Sequence, residues 1–206
     1  MKRIALIVGA TALVIALAVA MGWYFERGGG SISSGGVTGT GTAAIGGAFS
    51  LTDQHGQRRT DKEFAGKYLL VYFGFTHCVD ACPLALLNMS RALDALPPDA
   101  VDKLQPIFIT VDPARDDVAQ MALYLQNFHP KFIGLTGTVE EIGAVAKAYR
   151  VPFDAPKPDE NGDYQVQHGT IVYLMAPDGS YLANFDHTTK GEDMAKSLQN
   201  YVAGRS

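Results

Sequence analysis

The feature that most constrains this chain is an unbroken apolar and aromatic run over residues 68–75. It leads directly into a loop carrying both cysteines, Cys78 and Cys82, followed at once by Pro83. A strand without polar alternation is buried on both faces, so it belongs at the centre of its sheet. Pro83 is suited to open a helix, and Leu84, Leu87, Leu93 and Leu96 continue it until Pro97 and Pro98 force a stop. The chain therefore reads strand, loop, helix, with two thiols at the junction.

The elements around this unit extend the pattern. Phe49 to Thr52 and Gln57 to Thr60 form a small hairpin, with Gly56 in its turn. Residues 105–111 are a second buried strand, and a helix is expected from about Asp116 to Phe128, with Asp116 available to cap it. A short strand over 132–135 and a helix over 139–149 look like an insertion. Strands over 170–175 and 180–185 flank a turn at Ala176-Pro177-Asp178-Gly179, and a last helix spans about 191–202. The order is β-α-β-α, an inserted β-α, then β-β-α. This predicts an α/β, thioredoxin-like fold with an N-terminal β-hairpin.

Residues 1–47 hold only Lys2, Arg3, Glu26 and Arg27 as charged side chains. Between Ile4 and Phe25 lie 22 uncharged residues, long enough at ~1.5 Å per residue to cross the ~30 Å hydrocarbon layer. Lys2 and Arg3 before the run, and Trp23 and Tyr24 near its end, predict one transmembrane helix with the rest of the chain exported. The small residues Ala18-Val19-Ala20 offer a rival reading as a cleaved signal peptide, but the run is longer than such a segment needs. Residues 28–47 contain nine glycines with Ser and Thr and no apolar periodicity, which predicts a flexible tether. The expected organisation is an anchor over 1–27, a linker over 28–47 and one domain over 48–206. On this reading the protein is a single-pass inner-membrane protein with its domain on the periplasmic side. A net charge of −4 without a basic block gives no footprint for nucleic acid.

A bridge between Cys78 and Cys82 would close so short a loop that it constrains almost nothing in the unfolded chain. Two neighbouring thiols near the positive end of a helix are better suited to chemistry, because that field favours thiolates. With Pro83 disfavouring helical geometry just before it, Cys82 is expected as the N-cap. Three residues separate the cysteines, giving a wider bite than a two-residue redox motif. Soft thiolates select Cu(I) or zinc and then need a third ligand. Spacing alone leaves redox and metal chemistry both open.

Topology supplies the third candidate. In a thioredoxin-like sheet the strand beginning near Thr170 runs antiparallel to the central strand, so His168 starts beside the cysteine loop, and Gly169 permits close approach. His77 adjoins Cys78 and is placed to tune it or hydrogen-bond the loop. His55, His129 and His187 fall in turns or helix ends and are expected in solvent. Asp80, between the cysteines, reads either as a group that receives a hydrogen bond or discourages the disulfide, or as an exposed loop acid. Asp112-Pro113-Ala114-Arg115-Asp116 follows a parallel strand at the same sheet edge, where ligand and partner surfaces gather.

Taken together, these segments resemble the SCO/SenC copper chaperones. The resemblance rests on Phe73-Gly74-Phe75-Thr76-His77-Cys78-Val79-Asp80-Ala81-Cys82-Pro83, on Val111-Asp112-Pro113-Ala114-Arg115-Asp116, on Gly134-Leu135-Thr136-Gly137, and on Gln167-His168-Gly169 with Tyr173-Leu174-Met175. It implies copper, as Cu(I) and in some members Cu(II), held by Cys78, Cys82 and His168. It also implies delivery to the subunit of cytochrome c oxidase that houses the dinuclear copper site, with other copper chaperones or thiol–disulfide proteins as further partners. Val79 stands where the family often has Pro, and Gln167 and Gly169 stand where an acidic residue and Ser are common.

Two rival functions use the same sulfurs. A membrane-tethered thiol–disulfide oxidoreductase would attack with one cysteine and resolve with the other. It would not need His168. A peroxidase is disfavoured because Phe75 occupies the position where such enzymes carry Thr.

Overall fold

The computed structural model describes residues 39–40, 45–152, 164, 166 and 168–204. The expected span over 1–27 lies outside them, as does most of the expected linker. Among the described residues no helix is long and apolar enough to cross a membrane. Within the expected linker, Gly39–Thr40 (β1) adds a short strand to the sheet, and the Gly46 N–H donates to the Ala148 carbonyl.

The predicted hairpin is present as β2 (Ser50–Asp53) and β3 (Arg58–Thr60), with Gly56 at a positive φ of 79° in its turn. A 3₁₀ turn, Asp61–Phe64, leads to β4 (Tyr68–Gly74). Helix α1 (Ala81–Asp94) follows, then α2 (Pro98–Asp102) and β5 (Leu104–Thr110). Next come α3 (Val118–Leu125), β6 (Ile133–Thr136) and α4 (Val139–Ala148). The described fold closes with β7 (Ile171–Met175), β8 (Tyr181–Asp186) and α5 (Gly191–Val202). Strand order across the sheet is β1-β8-β7-β4-β5-β6-β2-β3. Strands β4, β5 and β6 are parallel, and β7 runs antiparallel to β4.

The core follows from composition. Strands β4 and β5 are almost wholly buried, and Leu70, Tyr72, Phe73, Ile107, Phe108 and Phe185 are sealed from solvent, each burial contributing about 1.5–3 kcal/mol. Alternation along β4 sends Tyr72 and Gly74 to one face and Phe73 to the other, where Phe73 meets Tyr149 and Tyr173. At Gly191 an added Cβ would stand 2.4 Å from Arg91 Cβ, so glycine lets α5 cross α1 closely.

Three expectations are corrected. Helix α1 opens at Ala81 with Asp80 as its N-cap, so Cys82 lies inside the first turn rather than capping it. Pro83 is tolerated there because the first N–H groups of a helix have no intrahelical acceptor; the Leu84 N–H donates to the Asp80 carbonyl. Helix α3 is shorter than expected and is capped by Asp117, whose Oδ1 accepts the Gln120 N–H at 2.8 Å. Asp116 does not cap it. Finally, α1 stops at Asp94, ahead of both prolines, and Pro98 starts a further short helix, since its fixed φ suits a first helical position.

Candidate metal centre

The site forms where β4 ends. At Gly74 a Cβ would lie 2.5 Å from Cys82 Sγ and 2.9 Å from Phe108 Cε2, so only glycine lets this sulfur rest against the strand backbone. The loop then turns back, with the Cys78 N–H donating to the Phe75 carbonyl. The Cys82 N–H points at Cys78 Sγ at 3.5 Å. Antiparallel pairing of β7 with β4 carries His168 to the same edge. His168 Nε2 stands 3.6 Å from Cys78 Sγ and 3.7 Å from Cys82 Sγ. One donor atom from each of the three residues lies within 4.8 Å of the other two.

Both cysteines are free thiols; Cys82 is buried and Cys78 is partly exposed. The imidazole is oriented before any ion arrives. Its Nδ1 lies 2.9 Å from the Gly169 carbonyl oxygen, and a nitrogen facing a carbonyl must carry the proton, which leaves the Nε2 lone pair aimed at the sulfurs. Phe75 and Tyr72 meet the ring edge-on at centroid distances of 5.4 and 6.3 Å.

The two thiols form a coupled pair. The hydrogen bond with Cys82 holds Cys78 well below the ordinary thiol range, outweighing burial, and the backbone N–H groups of Cys82 and Asp80 add to it. Cys82 moves the opposite way, first through the same bond to Cys78 and then through burial. One sulfur thus gives up its proton readily, and the other keeps its own until a cation replaces it. Two soft sulfurs and one imidazole suit Cu(I) in trigonal coordination, whereas structural zinc asks for a fourth ligand.

Behind the ligands lies a scaffold that sequence reasoning missed. Asp116, 0% exposed, accepts hydrogen bonds from Thr76 N–H (2.9 Å), Thr76 Oγ1 (2.6 Å) and Thr110 Oγ1 (2.6 Å). It fixes the start of the cysteine loop. Burial pushes its carboxyl upward, against those hydrogen bonds. Asp112 holds the opposite loop, accepting from Tyr164 O–H at 2.6 Å and from Arg115 Nε. The Arg115 guanidinium lies 3.8 Å from the Tyr164 ring centroid and 5.9 Å from that of Phe75. The segment over 112–116 therefore ties both ligand-bearing loops to β5. Its sequence signals are its position after a parallel strand and its likeness to the second motif of the SCO/SenC resemblance.

The other candidates fall apart from the ligand cluster. His77 stays at the rim, with Nδ1 3.2 Å from Thr76 Oγ1 and 3.7 Å from Asp116 Oδ1. Val79, between the cysteines, is 94% exposed. His55 is exposed as expected. His129 and His187 are partly buried instead: the Lys131 N–H donates to His129 Nδ1, and the His187 N–H donates to the Thr170 carbonyl.

A family model described as SCO1/SenC matches residues 37–203. Protein sco1 of Schizosaccharomyces pombe is 46% identical over 167 residues, covering 80% of this chain and 64% of its own length. The mitochondrial SCO1 homolog of Homo sapiens is 43% identical over 163 residues, covering 79% and 54%. The chain thus spans less than two thirds of each of these relatives. Among solved structures, yeast Sco1 with copper bound superposes with a TM-score of 0.73 at 38% identity, covering 78% of this chain and 90% of that one. Bradyrhizobium japonicum ScoI with copper bound gives 0.71 at 43%, covering 77% and 99%. This chain shares their thioredoxin-like fold.

Proposed function

The chain belongs to the SCO1/SenC family, and from that premise we propose that it is a copper chaperone carrying one copper ion on Cys78, Cys82 and His168. Its client on this reading is the dinuclear copper site of cytochrome c oxidase. The observation that carries the proposal is the convergence of two free sulfurs and one imidazole nitrogen, all within 4.8 Å. Copper is cargo here. Cys82 releases its proton as the ion enters, Cys78 having already given up its own, the imidazole lends its free Nε2, and buried Phe75 and Tyr72 keep bulk water from the inner side. Cys78 and the exposed Val79 leave the outer side open to a recipient. The copper-bound relatives at 38% and 43% identity support this reading.

The remainder of the proposal rests on sequence. The uncharged run over 4–25 anchors the chain in the inner membrane, residues 28–47 tether it, and the domain faces the periplasm. Carbonate extraction of membranes and a periplasmic reporter fused at the C-terminus test that arrangement; release of the chain by carbonate would contradict the anchor.

The decisive test of the copper assignment is competition of the reduced full-length protein against a chromogenic Cu(I) chelator. The wild type takes up one copper per chain, and Cys78→Ser, Cys82→Ser and His168→Ala each weaken binding by roughly 100-fold or more, since even outer partners of a metal site are worth about 10–100-fold. Affinity within threefold of wild type in His168→Ala would reject the site. A second reading keeps support from one observation. Cys78 is partly exposed and activated beside a buried Cys82, the arrangement of an attacking and a resolving thiol. Reduction of client disulfides would then survive His168→Ala.

A further inference from the structure

Tyr72 carries a buried polar group that the copper reading does not use. The side chain is sealed in the core, yet its Oη has no oxygen or nitrogen partner, and the polar group that bears on it is the Cys82 thiol. Phenylalanine would fill the same space without stranding a hydroxyl, whose burial costs free energy. The surroundings show what it faces. A Cβ built at Gly74 would meet Cys82 Sγ at 2.5 Å and Tyr72 Cε1 at 3.1 Å, so the sulfur and the edge of the phenol ring share the space above that glycine. The Tyr72 ring also meets the His168 imidazole edge-on. A phenol keeps its proton at neutral pH, so it remains a neutral donor.

We propose that Tyr72 is a positioning residue whose hydroxyl donates a hydrogen bond to the Cys82 sulfur from inside the protein, thereby setting the redox poise of the cysteine pair and the electron density on the sulfur that meets copper. Cys82 is buried, and a thiol or thiolate sulfur accepts better than a disulfide sulfur, so a fixed donor behind it favours the reduced pair. Tyr124 offers an internal comparison. Its Oη is also buried and without an oxygen or nitrogen partner, and its ring meets Phe108 at 5.6 Å as the Tyr72 ring does at 6.4 Å, but Tyr124 is not among the side chains that crowd Gly74 beside Cys82.

This inference deepens the copper reading but is testable without metal. In a glutathione redox buffer the full-length dithiol reacts with oxidised glutathione to give the Cys78–Cys82 disulfide and two reduced glutathiones. One sulfur–sulfur bond forms as another breaks, and both protons end on glutathione. Tyr72→Phe shifts this equilibrium roughly tenfold toward the disulfide, ~30 mV more negative, while Tyr124→Phe stays within twofold. A Tyr72→Phe equilibrium within twofold of wild type, or an equal shift in both variants, overturns the proposal. Should Tyr72→Phe fail to fold, the wild type decides the matter. The slowly exchanging Tyr72 hydroxyl proton moves downfield in the NMR spectrum when Cu(I) is added, and an unmoved resonance in copper-loaded protein overturns the proposal. Loss of copper binding itself would reject the copper reading and leave the glutathione result standing.

Discussion

Asp53 and Asp116 are both buried carboxylates, 2% and 0% exposed, but they organise different lengths of chain. Asp53 closes the β2–β3 hairpin. Its Oδ1 accepts the N–H groups of His55 and Gln57, both at 2.9 Å, and Arg59 stands 3.6 Å from Oδ2. Every one of these partners is a near neighbour in sequence. Asp116 instead reaches Thr76, 40 residues away, and has no Lys or Arg paired with it among the described residues. The molecule thus keeps a buried acid without a Lys or Arg partner among the described residues at the place where the two loops of the candidate site must be held in register.

The largest expected effect comes from breaking the long-range member of this pair. Asp116→Ala strands the Thr76 and Thr110 donors and should cost about 3 kcal/mol of stability, with Cu(I) affinity reduced roughly 100-fold. Denaturant titration and chelator competition measure the two. An unchanged affinity in a folded variant would show that the cysteine loop needs no such tie.

Asp116→Asn sharpens the comparison through pH. Because the folded-state pKa of Asp116 is raised, the native state holds the proton more tightly than the unfolded chain. This contribution to stability is therefore full at low pH and declines as pH rises from the ordinary carboxylate value through the raised one. The stability difference between wild type and Asn variant should shrink across that window. A difference that grows with pH would mean that the ionised form is the favoured one.

Tyr164→Phe removes one hydrogen bond from the histidine side, the 2.6 Å contact to Asp112. About tenfold weaker copper binding is expected, with about 1 kcal/mol of stability lost. The smallest effect on the site belongs to Asp53→Ala. It should cost about 1–2 kcal/mol by loosening the hairpin, with copper affinity unchanged. A matching fall in copper affinity would erase the distinction between the two acids.

What was legible in the sequence follows the same division. Strand β4, the cysteine loop and the β7–β8 hairpin announce themselves through contiguous apolar runs and local turn residues, and His168 follows from strand direction. Helix α1 starts two residues before Pro83, which reads as a first helical position, because any residue of the first turn can lack an N–H. Asp116 looked like a cap because Asp117, the actual cap, is its neighbour. Its partners Thr76 and Thr110 meet only once β4 and β5 pair in parallel. The pairing of Tyr164 with Asp112 spans 52 residues and has no local pattern at all.

X-ray absorption at the copper edge of the reduced, Cu(I)-loaded full-length protein tests the central claim most directly. Two sulfur scatterers and one imidazole nitrogen are predicted, with the nitrogen lost in His168→Ala. A spectrum showing sulfur alone, identical in wild type and His168→Ala, would contradict it.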